Sequence, residues 1–503
     1  MPRVPNFQFT GPTYLLPSPV LDSQRSINLY PEAGLGDSKS QLMLTGRPGL
    51  FAFGSGLPTG PILRGGLWAG NRRLFAAAGT HVYEVSTTGG VVTDFGSFGG
   101  GSTGPIKFAQ NAGSAAFQLM MLDSSQSKIF DVATLTPQFN ATAMTYADGF
   151  QIAVATGASL VNAGNPNQIN ASAFGDATNW TPLPGPLPAY VIRSGASDLV
   201  NGLEWLNGLL YIFGQSTLEI WYDAGNAAGF PFSRVNGGQI GLGLVAPHSL
   251  VKFYNCLMFL GGDPNGCPQV YMMQGLNPVR VSNASIEFLL QYASASVGIP
   301  SAWAYPYQEA GHTFYCLSVL NFAVNGLIHL CYDLTTGLWH ERAYAGPVPI
   351  TGVASIPQFG TLSGGTFVGD IGSNALYTQQ IITPSDAGTA ITYTRQSGPV
   401  FRDNLVHTFD RFELDCDIGT AAATLNWSND GGRNFGTQAR AMKQAANQGG
   451  PSGAPWGTRY FTNQMGRSRD MRLQVNITSS TQLVRIAQGL LDCDNTGPPT
   501  EDA

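Results

Sequence analysis

Seven times between Leu74 and Gln380 the chain repeats one phrase: an apolar run, a turn, then a run carrying an aromatic residue. The aromatic marks are Tyr83, Phe130, Phe174, Tyr222, Tyr271, Tyr332 and Tyr377, and five of them are followed within two residues by an acid. Their gaps are 47, 44, 48, 49, 61 and 45 residues, averaging 49. The phrase is clearest from Leu209 to Gln274, where LLYIFGQSTLEIWYDAG is followed by CLMFLGGDPNGCPQVYMMQ. Runs of four to eight β-prone residues bounded by Gly, Asn, Asp and Ser read as hairpins. A small antiparallel sheet has two apolar faces and cannot bury both alone. Radial stacking of such sheets buries both and leaves only short edges, and a period in the forties is its signature. The expected fold class is therefore all-β: a β-propeller of about six to eight blades over residues 51–395, with two stacked β-sandwiches as the alternative. Each aromatic mark is expected to pack between neighbouring sheets.

The flanks read differently. Residues 1–50 carry Pro at 2, 5, 12, 17, 19, 31 and 48 and lack periodicity. Proline fixes φ and removes a ladder donor, so an extended N-terminal arm is expected, packed on the body or on a neighbour. Two phrases stand out in it: Ser26–Glu32 (SINLYPE) and Gly46–Leu50 (GRPGL). Residues 396–503 are rich in Arg and carry alternating runs such as FDRFELDCDIG and MRLQVNIT, as in a C-terminal β-sandwich.

Composition narrows the function classes. Charged residues make up 11% of the chain, against roughly 25% in an average domain. The net charge is −6, and the lysines are Lys39, Lys107, Lys128, Lys252 and Lys443. No basic stripe is visible in the sequence, which argues against tight binding of nucleic acid through its phosphates. The start, MPRVPNFQFTGP, lacks the charged and apolar regions of a secretory signal, and no run approaches 18 apolar residues. A soluble protein made in the cytoplasm, with no membrane partner, is expected.

Chemistry is sparse. None of Cys256, Cys267, Cys316, Cys331, Cys416 and Cys493 forms a CxxC pair or has a His at zinc-ligand spacing. Cys316 and Cys331 are placed to face each other across the Asn325-Gly326 turn, as buried reduced thiols. His340-Glu341-Arg342 reads as an exposed strand end rather than a general base. The Gly-rich stretch 96–104 lacks the Gly-Lys-Ser/Thr ending of a phosphate loop. The doubled Asp-Cys-Asp at 415–417 and 492–494 is too few ligands for calcium. Ser428–Phe435 (SNDGGRNF) resembles the Asp-box of sialidase-type propellers, with Asn434 departing from its pattern; that box is a structural turn. No catalytic, cofactor-binding or metal-ligating residue is assigned.

Longer phrases carry a family resemblance. SINLYPE, GRPGL, RGGLWAGNRRLF and HVYEV come in order near the start. YIFGQSTLEIWYDAG, GQIGLGLVAPHSLV, MFLGGDPNGCPQVYMM and PVRVSNASIEFLL follow, and WSNDGGRNF and GRSRDMRLQV close the series. In this order the chain resembles the tail hub, or nozzle, proteins of short-tailed phages, also called packaged-DNA stabilisation proteins, from about residue 24 to 480. The resemblance implies a virion protein assembled in the host cytoplasm and built on a β-propeller. It implies a homo-hexamer below the adaptor ring of the head-to-tail connector, with a tail needle or plug beneath and tailspike or fibre proteins nearby. It also implies a channel that retains double-stranded DNA and conducts it transiently during ejection. The family brings no catalytic residue and no cofactor. The alternative is a phage protein that binds or cleaves a cell-surface glycan.

Overall fold

The structure is a computed structural model. It describes residues 4–494 except 5–6, 20, 35, 37, 39, 55, 59–62, 69–72, 87–89, 98–104, 112–117, 124–125, 132–133, 138, 157–164, 181–188, 227–228, 254, 263–266, 295–298, 322–325, 345–349, 356–365, 371–374, 402–404 and 446–457. Side chains at 63–68, 126–131, 134–137, 292–294, 320–321, 326, 350–355, 370, 401 and 458 are also left undescribed.

Seven small sheets follow one another along the chain. The first strands of the blades are Leu63–Trp68, Ile106–Asn111, Asn140–Ala147, Val200–Leu206, a split strand in blade 5, Trp303–Glu309 and Ile350–Ser355. The split strand consists of Gly243–Leu244 and Val251–Lys252, on either side of the 3-10 turn Pro247–Ser249. In each blade the next strands pair outward by antiparallel hairpins. Their sharpest turns are Asp148-Gly149, Asn207-Gly208 and Ala310-Gly311, with φ of 44°/90°, 51°/78° and 48°/86°. Two consecutive left-handed residues match the twist of the flanking strands, which is why two-residue hairpins favour them.

The blades form a closed wheel. The first strand of blade 7 packs against the first strands of both blade 6 and blade 1. Among the described residues a separate apolar cluster lies between each pair of neighbouring blades, seven in all. Blades 3 and 4, for example, share Ile152, Val154, Leu210, Ile212 and Trp221. Blades 7 and 1 share Phe367, Leu376, Leu74 and Ala76. This is the β-propeller expected from the repeat, with seven blades. Closure uses a strand from far away in sequence. Gly49–Ala52 takes the outer place of blade 7, pairing Thr378 with Phe51 and Gln379 with Leu50.

The aromatic marks obey the repeat better than they obey the packing rule attached to it. Tyr83, Phe130, Tyr222, Tyr271, Tyr332 and Tyr377 all lie on the third strand of their blades. Tyr83 is buried as expected, but Tyr222 is 44% exposed. In blade 4 the neighbouring Trp221 faces the inter-blade cluster instead, because adjacent strand residues point to opposite faces. Phe174 lies beyond the third strand of blade 3 and is 72% exposed.

Beside blades 6 and 7 two further sheets face each other across one apolar core. One runs Leu29–Ala33, Leu42–Gly46, Arg485–Asp494, His407–Asp417, Thr458–Ser468 and Lys443–Gln444. The other runs Ser23–Ile27, Thr389–Gln396, Asp470–Ser479, Ala422–Ser428 and Arg440–Ala441. Their shared core includes Phe9, Leu29, Leu44, Tyr393, Phe412, Leu473 and Ile486. N-terminal strands thus complete both sheets of a body otherwise built from the C-terminal part. The helix Ala284–Ser294 sets Ile286 and Leu290 into the core between blades 5 and 6. Its Ser285 Oγ accepts the Leu15 N–H at 2.6 Å.

Candidate functional site

The two N-terminal phrases meet where the wheel joins the sandwich. Asn28 adopts a left-handed φ of 62°, which Asn tolerates better than most residues. Its backbone N–H donates to Glu341 O at 2.9 Å and its Nδ2 to Thr392 O at 2.8 Å. Its Oδ1 accepts from the Ala343 N–H and from Arg47 Nε, both at 2.8 Å. One side chain therefore ties blade 6, the sandwich strand Thr389–Gln396 and the GRPGL phrase together.

Arg47 is the centre of this knot and is fully buried. Its Nη1 and Nη2 donate to the two carboxylate oxygens of Asp386 at 2.9 and 2.6 Å, the fork-on-fork geometry in which guanidinium pairs are strongest. Nη2 also donates to Ala343 O, and the Tyr344 ring covers the guanidinium at 4.5 Å. Burial disfavours the charge, but Asp386 more than offsets it, so Arg47 holds its proton more firmly than a free arginine. Gly46 and Gly49 flank it for a steric reason. A Cβ on Gly46 would lie 2.7 Å from the Tyr393 ring, and one on Gly49 2.2 Å from Ser385 O.

A second buried guanidinium holds the arm with no acid in contact among the described residues. Arg395 donates to Phe9 O (2.6 Å), Gly11 O (3.1 Å), Pro12 O (3.0 Å), Ser26 Oγ (3.1 Å) and Gln24 Oε1 (2.9 Å). Burial lowers its pKa to about 9, with only Asp22 opposing.

His340-Glu341-Arg342 corrects the sequence reading. These residues are not an exposed strand end: their exposures are 0%, 8% and 3%. The strand Ser23–Ile27 pairs with Glu341 and covers it, and Arg25 grips the Glu341 carboxylate at 2.5 Å. Tyr30 packs on His340 and Phe314 from the arm side. Arg342 lies over the Tyr307 ring and donates to its hydroxyl. Nearby, His312 Nδ1 and Asp333 Oδ2 share a hydrogen bond of 2.8 Å. That bond raises the His312 pKa, while burial lifts Glu309 to about 8.

The other marked residues fall into structural roles. Ser428 Oγ donates to Asp430 at 2.5 Å and accepts the Gly432 N–H, and Asp430 accepts the Asn434 N–H at 3.0 Å. Asn434, which departs from the Asp-box pattern, closes the turn with its Nδ2 on Asp430 at 2.7 Å. Cys316 and Cys331 are directly opposed free thiols with sulfurs 2.7 Å apart; the turn at 322–325 lies outside the described residues. The two Asp-Cys-Asp runs lie on neighbouring strands in opposed register, so Asp492 faces Arg411 and Asp415 faces Gln488. Among the described residues no three His, Cys, Asp or Glu side chains converge as metal ligands. None of the described helices is long and apolar enough to cross a membrane. Most of the Gly-rich stretch, 98–104, lies outside the described residues.

Comparison with known proteins places this architecture. No curated protein matches the chain. Among solved structures, a chain of the mitotic checkpoint complex aligns with 12% identity and a TM-score of 0.37, covering 67% of this chain and 94% of that one. An exo-β-1,3-galactanase from Phanerochaete chrysosporium aligns with 9% identity and a TM-score of 0.25, covering 76% and 95%. Likeness this weak says nothing about function. The family model described as "Bacteriophage P22 Gp10, beta-propeller" matches residues 23–326, from the strand that covers Glu341 into the middle of blade 6. More than half of the chain lies in that match, and the chain therefore belongs to this family of phage tail proteins, β-propellers that stabilise packaged DNA.

Proposed function

We propose that this chain is the hub, or nozzle, of a short phage tail. Six copies form a ring below the adaptor of the head-to-tail connector. The ring continues the DNA channel, retains the packaged genome with a needle or plug below it, and conducts the duplex on ejection. Tailspikes or fibres attach at its outside, and it assembles in the host cytoplasm. The observation that carries this reading is the family match over 23–326.

The structure offers physical support. A conduit under pressure needs domains that do not hinge, and the Arg47–Asp386 pair ties wheel to sandwich in a fully buried knot. An excess of acids over bases, 31 to 25, keeps a passing duplex from sticking. Low surface charge suits large protein contacts, whose centres are depleted in charged residues. Native mass spectrometry of the purified chain, with and without the adaptor ring, tests the reading. Six-fold species are expected; monomers alone in both samples overturn it.

A further inference from the structure

Two surface patches remain unexplained by the fold, one on the sandwich and one on the wheel. The first is an arginine edge on the sandwich. Strand Arg440–Ala441 is the outermost of its sheet, four strands from the one that abuts blade 6. Beside it lie the Asp-box turn and the end of strand Thr458–Ser468, joined by Ser468 Oγ donating to Asn429 O at 3.2 Å. This edge exposes Arg433, Arg440, Arg467 and Arg469, and none of the four has a carboxylate partner among the described residues. Arg440 is held flat, 4.7 Å over the Trp427 ring, by the carbonyls of Asn463 and Gln464. Arg467 Nε is fixed on Thr408 Oγ1 at 3.2 Å. The nearest acid of the turn, Asp430, is already engaged by Ser428 and Asn434.

The second patch is an acidic, aromatic rim where blades 3 and 4 meet. In a wheel of seven this junction lies opposite blade 7, which carries the link to the sandwich. Asp148 is exposed at the tip of its left-handed turn, and partial desolvation together with the neighbouring Asp223 carboxyl raises its pKa. Neighbouring carboxylates repel, and a cation placed beside them relieves the repulsion. Phe174 stands over Gly149, where a Cβ would lie 2.2 Å from its ring, and meets Phe150 edge-on at 5.4 Å. Its ring is 72% exposed, so the rim presents an aromatic surface beside its acids.

We propose that the arginine edge of one copy docks on the acidic rim of the next, forming a head-to-tail interface. The proposal rests on the ring reading above and names its contact. Guanidinium groups relieve the crowded carboxylates bidentately and lie flat on aromatic faces. Arg and Phe are among the residues that interface centres favour. Two different patches meeting head to tail form a heterologous contact, the kind that closes rings. A DNA backbone is the less favoured occupant of the arginine edge. The rest of the chain is more acidic than its net charge of −6 once these four arginines are set aside, and a duplex would leave the rim without a partner.

The test uses charge exchange in the full-length chain. The rim variant is D148N/D223R, with Asn chosen at 148 because it tolerates left-handed φ. The edge variant is R433E/R467E/R469E. Sedimentation velocity and native mass spectrometry of wild type should show rings. Each variant alone should stay monomeric, because its two patches now carry the same sign. An equimolar mixture should regain even-numbered rings of alternating copies, which also proves that both variants fold. Variants that assemble alone like wild type, or a mixture that stays monomeric, overturn the interface while leaving the ring reading intact. A wild type that never assembles overturns both. An edge variant that assembles normally but loses salt-dependent binding of a 20-base-pair duplex assigns the arginines to DNA and overturns the interface.

Discussion

The wheel and the sandwich are both antiparallel β, yet they bury their apolar faces by opposite strategies. Each blade is a run of consecutive hairpins, and its faces are covered by the blades before and after it. The sandwich draws its two sheets from residues 23–46 and 389–494, separated by the whole propeller. Their ion pairs differ too. Arg193, in blade 3, pairs with Glu219 and Asp198 of blade 4, nearby in sequence. Arg47 reaches Asp386 across more than three hundred residues, and Arg395 reaches the arm with no carboxylate in contact among the described residues. Local sheets need only good neighbours. Sheets assembled from both chain ends need polar clamps that define which segments meet. Buried polar groups are costly when mispaired, so they specify one arrangement.

That contrast can be broken most sharply at the knot. Arg47→Ala leaves Asp386 buried without its partner and should cost about 3–5 kcal/mol. Because the pair belongs to both bodies, differential scanning calorimetry should show the wheel and the sandwich losing stability together. Two transitions with only one of them shifted would separate the bodies and refute the knot.

Acid should strike the wheel next. Burial holds His248 and His340 at a pKa of about 3, and burial, with Arg47, holds His329 at about 4. The unfolded chain takes up these protons near 6.5, so the stability present above that pH is lost as pH falls toward 4. Glu309, neutral in the fold up to about 8, and His312, with its raised pKa, work the other way. Their contributions are whole at low pH. Glu309's is lost as pH rises from its unfolded value through about 8, and His312's as pH rises through its raised value. Three histidines outweigh this, and the net loss between pH 6.5 and 5 is on the order of 3 kcal/mol. Urea titrations read by tryptophan fluorescence at both pH values check it; equal midpoints would contradict the burial of these rings.

Arg395→Ala should cost about 2 kcal/mol and free the arm. Here the contrast with Arg47 is the point: no charge is stranded, and water can reach the released carbonyls. Hydrogen exchange should rise at residues 9–15 while the blades keep their protection. Faster exchange spread evenly through the wheel would contradict a clamp confined to the arm. The smallest effect belongs to Ser428→Ala, about 1 kcal/mol for the lost turn bonds. Rings should still form, because only Arg433 rides on this turn while Arg440, Arg467 and Arg469 are held from neighbouring strands.

Much of this could be read in the chain itself. The hairpin phrase at Leu209–Gln274 maps onto strands Leu209–Gly214, Leu218–Asp223, Leu257–Gly262 and Gln269–Gln274. A hairpin is a contact between near neighbours, so period and turn chemistry report it directly. The burial of His340-Glu341-Arg342 was not legible, because what covers it comes from residues 25–30. The exposure of Phe174 escaped for a related reason: an aromatic at the right spacing looks the same whether its ring meets a neighbouring blade or the solvent.

By itself, then, the amino-acid order determined the blade: its strand lengths, its turns and its need for a neighbour. Those properties depend on side chains a few residues apart. Ring closure by Gly49–Ala52, the pairing of Arg47 with Asp386, and the gathering of Arg433, Arg440, Arg467 and Arg469 on one edge were decided only in three dimensions. Each depends on segments whose separation in the chain carries no record of their distance in space.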